Sequence, residues 1–456
     1  MSEEFDVICI GAGPAGEALG VELKNSGLSL AVIEKHLVGG ECPYYGCMPS
    51  KTLLRSAETL AEARRARVLA ASRVEFTVDY STIHKRTSWM ARDLDDSIAA
   101  KAFVDAGHTL IRGNARLEGP RRVTVDGREL TARKAVVIAT GTAPAVAQIP
   151  GIESVPIWTN REAVLAEDLP DRLVVIGAGA VGVELAQAFQ RFGTEVHVFE
   201  SAARVLAAEE PEAGKYLQDK LVGDGMEVSC STTIDRIDGA LGSIHVHTNE
   251  GLVVRCDRLL VATGRTPNLE SFDLAAAGVQ TTERGWVKVD PETLEAAEGI
   301  YAVGDVNGLG GFTHLSHYHG TVVGRRLRGE DIRANHSAVP RVTFTDPEVG
   351  SVGLTEAQAR ERGVNVEVGS AEVADSARGA IHGDPGGPIK VVVDADRKVI
   401  IGATCVGPRS GEILSEFTLA IRAELPLPVL SDTLHAFPTF SRILQGVFDQ
   451  LSRKLA

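Results

Sequence analysis

The chain has little that would suit it to nucleic acid, a bilayer or an oxidising compartment. Its 47 Lys and Arg residues are outnumbered by 61 Asp and Glu, giving a formal net charge of −14 over 456 residues. Proteins that hold phosphate backbones do so with clustered cations, and no basic stripe stands out here, so nucleic acid is not an expected partner. Long apolar runs are missing too. The uncharged stretch from Ala135 to Ile152 is broken by Thr140, Gly141, Pro144 and Pro150, so it is no uninterrupted membrane helix. The opening residues, Met1-Ser-Glu-Glu-Phe5, are acidic where a secretory signal is basic. These features predict a cytoplasmic protein without a membrane segment. Six cysteines are too few for a disulfide scaffold in a chain of this length. Four of them, Cys9, Cys230, Cys256 and Cys405, stand alone in apolar or strand-like contexts and are read as buried packing. At about 150 residues per domain, the length suggests about three domains, each able to bury a core.

What the chain does have is a repeat. Asp6-Val-Ile-Cys-Ile10 leads into Gly11-Ala-Gly13-Pro14-Ala15-Gly16, a helix-like run, Gly27, and a second apolar strand ending at Glu34. Arg172-Leu-Val-Val-Ile176 leads in the same way into Gly177-Ala-Gly179-Ala-Val181-Gly182, a helix-like run, Gly193, and a strand ending at Glu200. The acid falls at the same offset from the first glycine in both copies. A lone glycine fingerprint is weak evidence, but here each follows a β-branched strand, opens a helix and ends on an acid. The first glycine permits the tight turn, the second lets the backbone approach a pyrophosphate, and the third lets helix pack on strand. The helix N-terminus then offers free N–H groups to phosphate, and Glu34 and Glu200 can accept hydrogen bonds from ribose hydroxyls. Two dinucleotides are implied. A second pair of segments, ending in Ala-Thr140-Gly141 and Ala-Thr263-Gly264, repeats at a different offset, which indicates two related domains rather than a solenoid. Strand–helix–strand units of this kind force parallel sheets with right-handed crossovers, so the fold class is α/β, doubly wound, twice.

The remaining two cysteines, Cys42 and Cys47, lie five apart in Gly39-Gly40-Glu41-Cys42-Pro43-Tyr44-Tyr45-Gly46-Cys47-Met48-Pro49-Ser50-Lys51. Helical spacing begins near Ser50, and Pro49 suits a first turn. Cys47 is therefore placed at or just before a helix N-terminus, where the dipole favours a thiolate. Cys42, in the preceding loop, could come within the Cα–Cα distance a disulfide requires. The residues read as a redox pair; two inert loop thiols are the alternative, and no neighbouring Cys or His completes a zinc site.

With this loop, both fingerprints, Gly299-Ile-Tyr-Ala-Val-Gly304-Asp305 and Phe344-Thr-Asp-Pro-Glu-Val-Gly-Ser-Val-Gly353, the chain resembles the class I pyridine nucleotide-disulfide oxidoreductases, the flavoprotein family of dihydrolipoyl dehydrogenase, glutathione reductase and mercuric reductase. The resemblance runs nearly end to end. It implies two Rossmann-like domains and a C-terminal α+β dimerisation domain. FAD-binding parts would be 1–150 and 270–335, an NAD(P) domain 151–269, and the interface domain 336–456, including a strand at Ile389–Val393 and a helix from Glu412 to Ala423. By the same resemblance Gly11, Gly13, Pro14, Ala15, Gly16, Glu34, Gly40, Lys51, Ala115, Thr140, Gly141, Gly304, Asp305, Phe312, Thr313 and His314 would hold FAD. Gly177, Gly179, Val181, Gly182, Glu184, Glu200 and Gly264 would line the nicotinamide cofactor. Lys51 and Glu184 would form an ion pair near the flavin. Glu200 favours NAD, since an acid there repels a 2′-phosphate; Arg204 keeps NADP as the alternative. The family path takes hydride from nicotinamide to FAD and electrons on to Cys42–Cys47, with Cys47 as the thiolate beside the flavin and Cys42 as the thiol that attacks a small disulfide or other small-molecule substrate. A homodimer is implied.

The sequence departs from the family where the acid-base histidine and its glutamate stand: Leu434-His435-Ala436-Phe437-Pro438-Thr439-Phe440-Ser441-Arg442 carries Phe437 and Arg442 instead. General acid-base catalysis contributes about 10²–10⁴-fold, so ordinary lipoamide or glutathione turnover is expected to be poor. His435, Tyr44 and Tyr45 are the substitutes within reach of the same chemistry, each with a packing role as its alternative. His314, His317 and His319 resemble a metal pattern but fall on a helix start, and no metal is expected. The leading expectation is an NAD(P)H-dependent flavoenzyme with a non-standard disulfide or thiol-reactive substrate. A mercuric-reductase-like or quinone/diaphorase-type reductase comes next, and a non-catalytic redox sensor last.

Overall fold

The computed structural model describes residues 3–383 and 386–456. The chain divides into two compact units, one formed by 1–49, 85–145 and 264–336, the other by 50–84, 146–263 and 337–456.

In the first unit the apolar run Glu3–Ile10 forms the central strand. It pairs in parallel with Leu30–Glu34 on one side, Val7 opposite Leu30, and with Arg128–Ile138 on the other. Thr109–Arg112 and Ile300–Ala302 extend the sheet in parallel at its two sides. Val7, Ile8, Cys9, Ala31, Val32, Val136 and Val137 are wholly buried, as expected of a parallel sheet covered on both faces. The helix Pro14–Leu23 follows the first strand, with Pro14 at its first position, where the missing N–H costs nothing.

The second unit begins with a five-stranded parallel sheet in the order Glu227–Ser229, Glu195–Phe199, Arg172–Ile176, Arg258–Val261 and Ile157–Trp158. The helix Ala180–Phe192 connects the central strand Arg172–Ile176 to Glu195–Phe199 beside it and ends on Gly193 in the left-handed conformation. A three-stranded antiparallel sheet of Ile234–Ala240, Ser243–Thr248 and Val253–Cys256 accompanies it. The C-terminal part is a separate antiparallel sheet in the order Arg341–Thr343, Glu348–Gly353, Val399–Gly407, Pro388–Asp394 and Val366–Glu372. Its core joins Ile389, Val391 and Cys405 to Phe417 of the helix Ser410–Arg422 and Phe448 of the helix Arg442–Lys454, the two rings meeting edge to face at 6.1 Å. The α/β class and the α+β C-terminal part are as the sequence implies. Cys9, Cys256 and Cys405 are buried, but Cys230 is only half-buried, its thiol directed at Gln218.

Glu348 of this last sheet is half-buried. Burial pushes the Glu348 carboxyl up to about 7, against the pull of the Gly411 N–H that it accepts at 2.9 Å and of Arg409. Between its ordinary 4.5 and about 7 the folded chain holds more protons than the unfolded one, so this group's effect is to lower stability as pH rises through that window. Glu348→Gln is expected to raise the thermal midpoint by about 2–4 °C at pH 8 and to change it little at pH 5. Equal shifts at both pH values in scanning calorimetry would show that the buried charge is not the cause.

Candidate active site

The two glycine loops are built alike. Gly11 has φ +110°, and a Cβ there would lie 2.2 Å from the Ala139 carbonyl oxygen; Gly177 has φ +104° and a Cβ would lie 2.5 Å from that of Ala262. The third glycines permit the tight return, a Cβ on Gly16 meeting the Gly11 oxygen at 2.3 Å and one on Gly182 meeting the Gly177 oxygen at 2.0 Å. The acids close each loop. Glu34 accepts the Ala12 N–H at 2.8 Å and the His36 N–H at 2.7 Å, and Glu200 accepts the Ala178 N–H at 2.7 Å and the Ala202 N–H at 2.7 Å. Their structural task, unforeseen from spacing alone, is to tie the glycine loop to the tip of the second strand. A carboxylate has about four acceptor sites, so each can still take a ribose hydroxyl.

Other groups in the first unit fit a flavin dinucleotide. Gly13 precedes the Pro14–Leu23 helix with no side-chain cap, leaving its first N–H groups free for phosphate. The Thr140 hydroxyl is buried without a partner. Gly141 has φ +62°, Gly40 φ +67° and Gly304 φ +73°, and Ala115 is buried in its strand with its carbonyl accepting from Ser271. Asp305 accepts from the Thr142 hydroxyl at 3.1 Å and the Ser316 hydroxyl at 3.3 Å; burial raises its carboxyl, while Arg265 and these hydroxyls oppose the rise. Arg265, whose Nε donates to Thr142 at 2.6 Å, was not singled out in the sequence because its partner lies far away along the chain. The residues present therefore suit FAD. In the second unit Gly179 likewise leaves the Ala180–Phe192 helix uncapped, and Val181 in its first turn is 42% exposed. Gly264, φ +131°, accepts the Ala145 N–H through its carbonyl at 2.9 Å.

The cysteines come together. Cys42 lies in the short helix Glu41–Tyr44, and Cys47 is the first residue of the helix Cys47–Leu69. Both are free thiols. The hydrogen-bonding thiol of Cys47 and burial push the Cys42 thiol well above the usual range. Cys47 Sγ is 3.2 Å from the Thr313 hydroxyl, so Thr313, expected only beside FAD, also contacts the redox pair. Phe312 stacks on His314 with ring centroids 5.4 Å apart. In the second unit Lys51 Nζ meets Glu184 Oε2 at 2.7 Å, the glutamate being 3% exposed.

Two proposed acid-base substitutes do not present themselves for the role. Tyr44 is wholly buried and its hydroxyl donates to the Val38 carbonyl at 2.8 Å, so its proton is committed to packing. His435 is tied through Nε2 to Glu416 at 2.8 Å with its side chain 6% exposed, and its Nδ1 is buried without a partner. It pins the 432–441 loop to the Ser410–Arg422 helix rather than offering a nitrogen to substrate. Tyr45 is half-buried, its ring 6.4 Å from that of Tyr44. Phe437 is 73% exposed and Leu434 93%. His319 of the helix Thr313–Leu327 is fully buried, accepts the Gly304 N–H and meets His336 at 2.9 Å. Among the described residues no group of three His, Cys, Asp or Glu is placed to hold a metal ion.

This arrangement has known relatives. Residues 5–321 match the pyridine nucleotide-disulphide oxidoreductase family, and residues 339–447 match its dimerisation domain. The chain is 32% identical to dihydrolipoyl dehydrogenase of Chlamydia muridarum over 450 residues, 97% of this chain and 96% of that one. It is 31% identical to mercuric reductase of Staphylococcus aureus, over 97% of this chain and 81% of that one. Among solved structures it is similar to the Cu(II) complex of the HOCl-induced flavoprotein disulfide reductase RclA from Escherichia coli, with TM-score 0.85 and 29% identity across 97% of this chain and 99% of that one. No helix among the described residues is long and apolar enough to cross a membrane. Two glycine loops shaped for dinucleotides, a facing cysteine pair and these matches place the chain in the pyridine nucleotide-disulphide oxidoreductase family, whose members are FAD-dependent enzymes that use NAD(P)H and carry a dimerisation domain supporting a homodimer.

Proposed function

We propose that this enzyme uses NADH to reduce the Cys42–Cys47 disulfide and that the resulting dithiol reduces a small acceptor outside the usual lipoamide and glutathione class. The observation that carries this reading is the contact of the two cysteine side chains, Cys47 opening a helix and Cys42 in the short helix before it. Bound FAD supplies the two-electron link between NADH and the disulfide. Gly11, Gly16, Glu34, Thr140 and Asp305 would hold it, and Gly177, Gly182 and Glu200 would hold the nicotinamide dinucleotide. In the half-reaction on substrate, Cys42 sulfur bonds to an acceptor sulfur and the acceptor S–S bond breaks, releasing one thiolate. Cys47 sulfur then attacks Cys42 to re-form the intramolecular disulfide and release the second. Two electrons leave the dithiol, and two protons must reach the products. Phe437 and Arg442 carry none of them, which points to an acceptor needing little help with proton return. A thiol-reactive metal ion is such an acceptor, one two-electron ion or two one-electron ions returning each dithiol to the disulfide, and this second reading is favoured by the likeness to the RclA structure determined with Cu(II) and to a mercuric reductase.

Cofactor choice gives the first test. Glu200, at the tip of the second strand, would face a 2′-phosphate, and such a repulsion at close range in a partly dry site is worth on the order of 1–2 kcal/mol. NADH is expected to exceed NADPH in kcat/KM by about tenfold or more. Steady-state rates with each, using one dye acceptor, decide it; equal values would remove the role given to Glu200. The acceptor is tested by comparing anaerobic NADH oxidation with lipoamide, an aryl disulfide and Cu(II). Turnover of lipoamide at the rate of the others would overturn the proposed class.

A further inference from the structure

The helix Ala180–Phe192 presents Glu184, Gln187 and Arg191 at spacings of three and four, hence on one face. All three are buried, at 3%, 1% and 5% exposure, and all three hold the same segment, Phe344–Thr345–Asp346. Glu184 Oε1 accepts the Phe344 N–H at 2.8 Å. Gln187 takes both backbone groups of one residue, its Oε1 accepting the Asp346 N–H at 2.8 Å and its Nε2 donating to the Asp346 carbonyl at 2.9 Å. Arg191 Nη1 donates to Asp346 Oδ2 at 2.9 Å, and Arg65 Nη2, from the helix that also carries Lys51, reaches the same oxygen at 3.0 Å. Burial would raise the Asp346 carboxyl, but the two guanidinium groups outweigh it and hold it below the usual range. Arg191 also donates through Nε to Asp224 at 3.0 Å. At the far end of the segment the Phe344 ring lies over Lys51 Nζ, 4.9 Å from its centroid.

The Lys51–Glu184 pair is therefore gripped from both sides by a single segment, whose amide orients the carboxylate and whose ring covers the ammonium. We propose that Asp346 is a positioning residue for this pair: clamped by Gln187, Arg191 and Arg65, it fixes the Phe344 amide and ring that set the geometry of Lys51 and Glu184. The inference rests on the reading that this pair serves reduction of the flavin by NADH. A misplacement of about 1 Å at such a site costs on the order of 10²-fold, whereas a purely scaffolding anion would change only stability and cofactor content.

The test is a double-mutant cycle on the FAD-loaded full-length protein, with Asp346→Asn, Lys51→Ala and the double variant. Flavin reduction by NADH is followed by stopped-flow absorbance, and the flavin midpoint potential by equilibration with a reference dye. Asp346→Asn is expected to slow reduction about tenfold and shift the potential in the same direction as Lys51→Ala, with FAD content and NADH affinity unchanged. The double variant is expected to be no slower than Lys51→Ala. Additive losses, or a slow Lys51→Ala beside an unaffected Asp346→Asn, would overturn the positioning role alone. An unaffected Lys51→Ala would instead overturn the reading of the ion pair, and the inference with it. Arg65→Met removes one of the two guanidinium contacts while leaving Arg191 and keeps the question decidable if Asp346→Asn fails to fold: a smaller loss of the same kind supports the proposal, and an unchanged rate and potential contradict it.

Discussion

Replacing Cys47 by serine is expected to abolish NADH-driven reduction of disulfides, by at least about 10³-fold, while electron transfer from NADH to a one-electron dye persists. The reason lies in the order of sulfur chemistry. The first product of substrate attack is a mixed disulfide on Cys42, and only a second sulfur within bonding reach can resolve it. Cys47 opens a helix, where the dipole and the free N–H groups favour its thiolate, and the Thr313 hydroxyl 3.2 Å away can donate to that thiolate. A serine keeps the volume and the hydrogen bond but has no accessible anion at neutral pH. Dye reduction does not need either thiol, so it reports that cofactors still bind. Disulfide turnover that survived in Cys47→Ser, measured as free thiol released, would show that electrons leave by another route. Thr313→Val should act in the same direction but more weakly, through the thiolate alone.

The second large effect is expected from restoring what the C-terminal segment lacks. Phe437→His combined with Arg442→Glu should raise disulfide turnover, by up to the 10²–10⁴-fold that a positioned acid-base group contributes. Cys42 shows why. Its thiol is held well above the usual range by Cys47 and by burial, so at neutral pH it needs a base before it can attack, and neither Tyr44 nor His435 is free to serve. Position 437 is 73% exposed, so an imidazole there displaces no core packing. Position 442 is the first residue of the Arg442–Lys454 helix, where an acid suits the dipole and an arginine does not, a difference of about 0.3–1 kcal/mol per group. Arg442→Glu alone should therefore raise stability slightly without restoring turnover. An unchanged rate in the double variant would mean that proton return does not limit this enzyme.

Much of this site could be read from the sequence because its chemistry is local. The glycine loops, the acids at the strand tips and the cysteine pair each sit within a few residues of the element that gives them meaning, and hydrophobic period and turn chemistry locate such elements well. What stayed hidden depends on partners distant in the chain. Nothing near Tyr44 in sequence shows that its hydroxyl goes to Val38 in a dry pocket, nor that His435 is held by Glu416. The second task of Thr313 required the helix after Asp305 to meet the redox loop. The clamp on Asp346 joins residues from three segments, Arg65, Gln187 with Arg191, and Phe344–Asp346 itself, and only burial made its purpose visible. Cys230 is a smaller example: an apolar-looking context placed it in the core, but it is half-buried, its thiol directed at Gln218, which lies elsewhere in the chain.

The central claim is that a cysteine pair, and not the flavin alone, stores the reducing equivalents. Anaerobic dithionite titration of the oxidised, FAD-loaded protein, with iodoacetamide trapping and mass spectrometry at each step, counts them directly. Uptake of two electron pairs per subunit, with Cys42 and Cys47 protected from alkylation before reduction and open to it afterwards, is the predicted result. Uptake of a single pair, with both sulfurs equally reactive throughout, would contradict it.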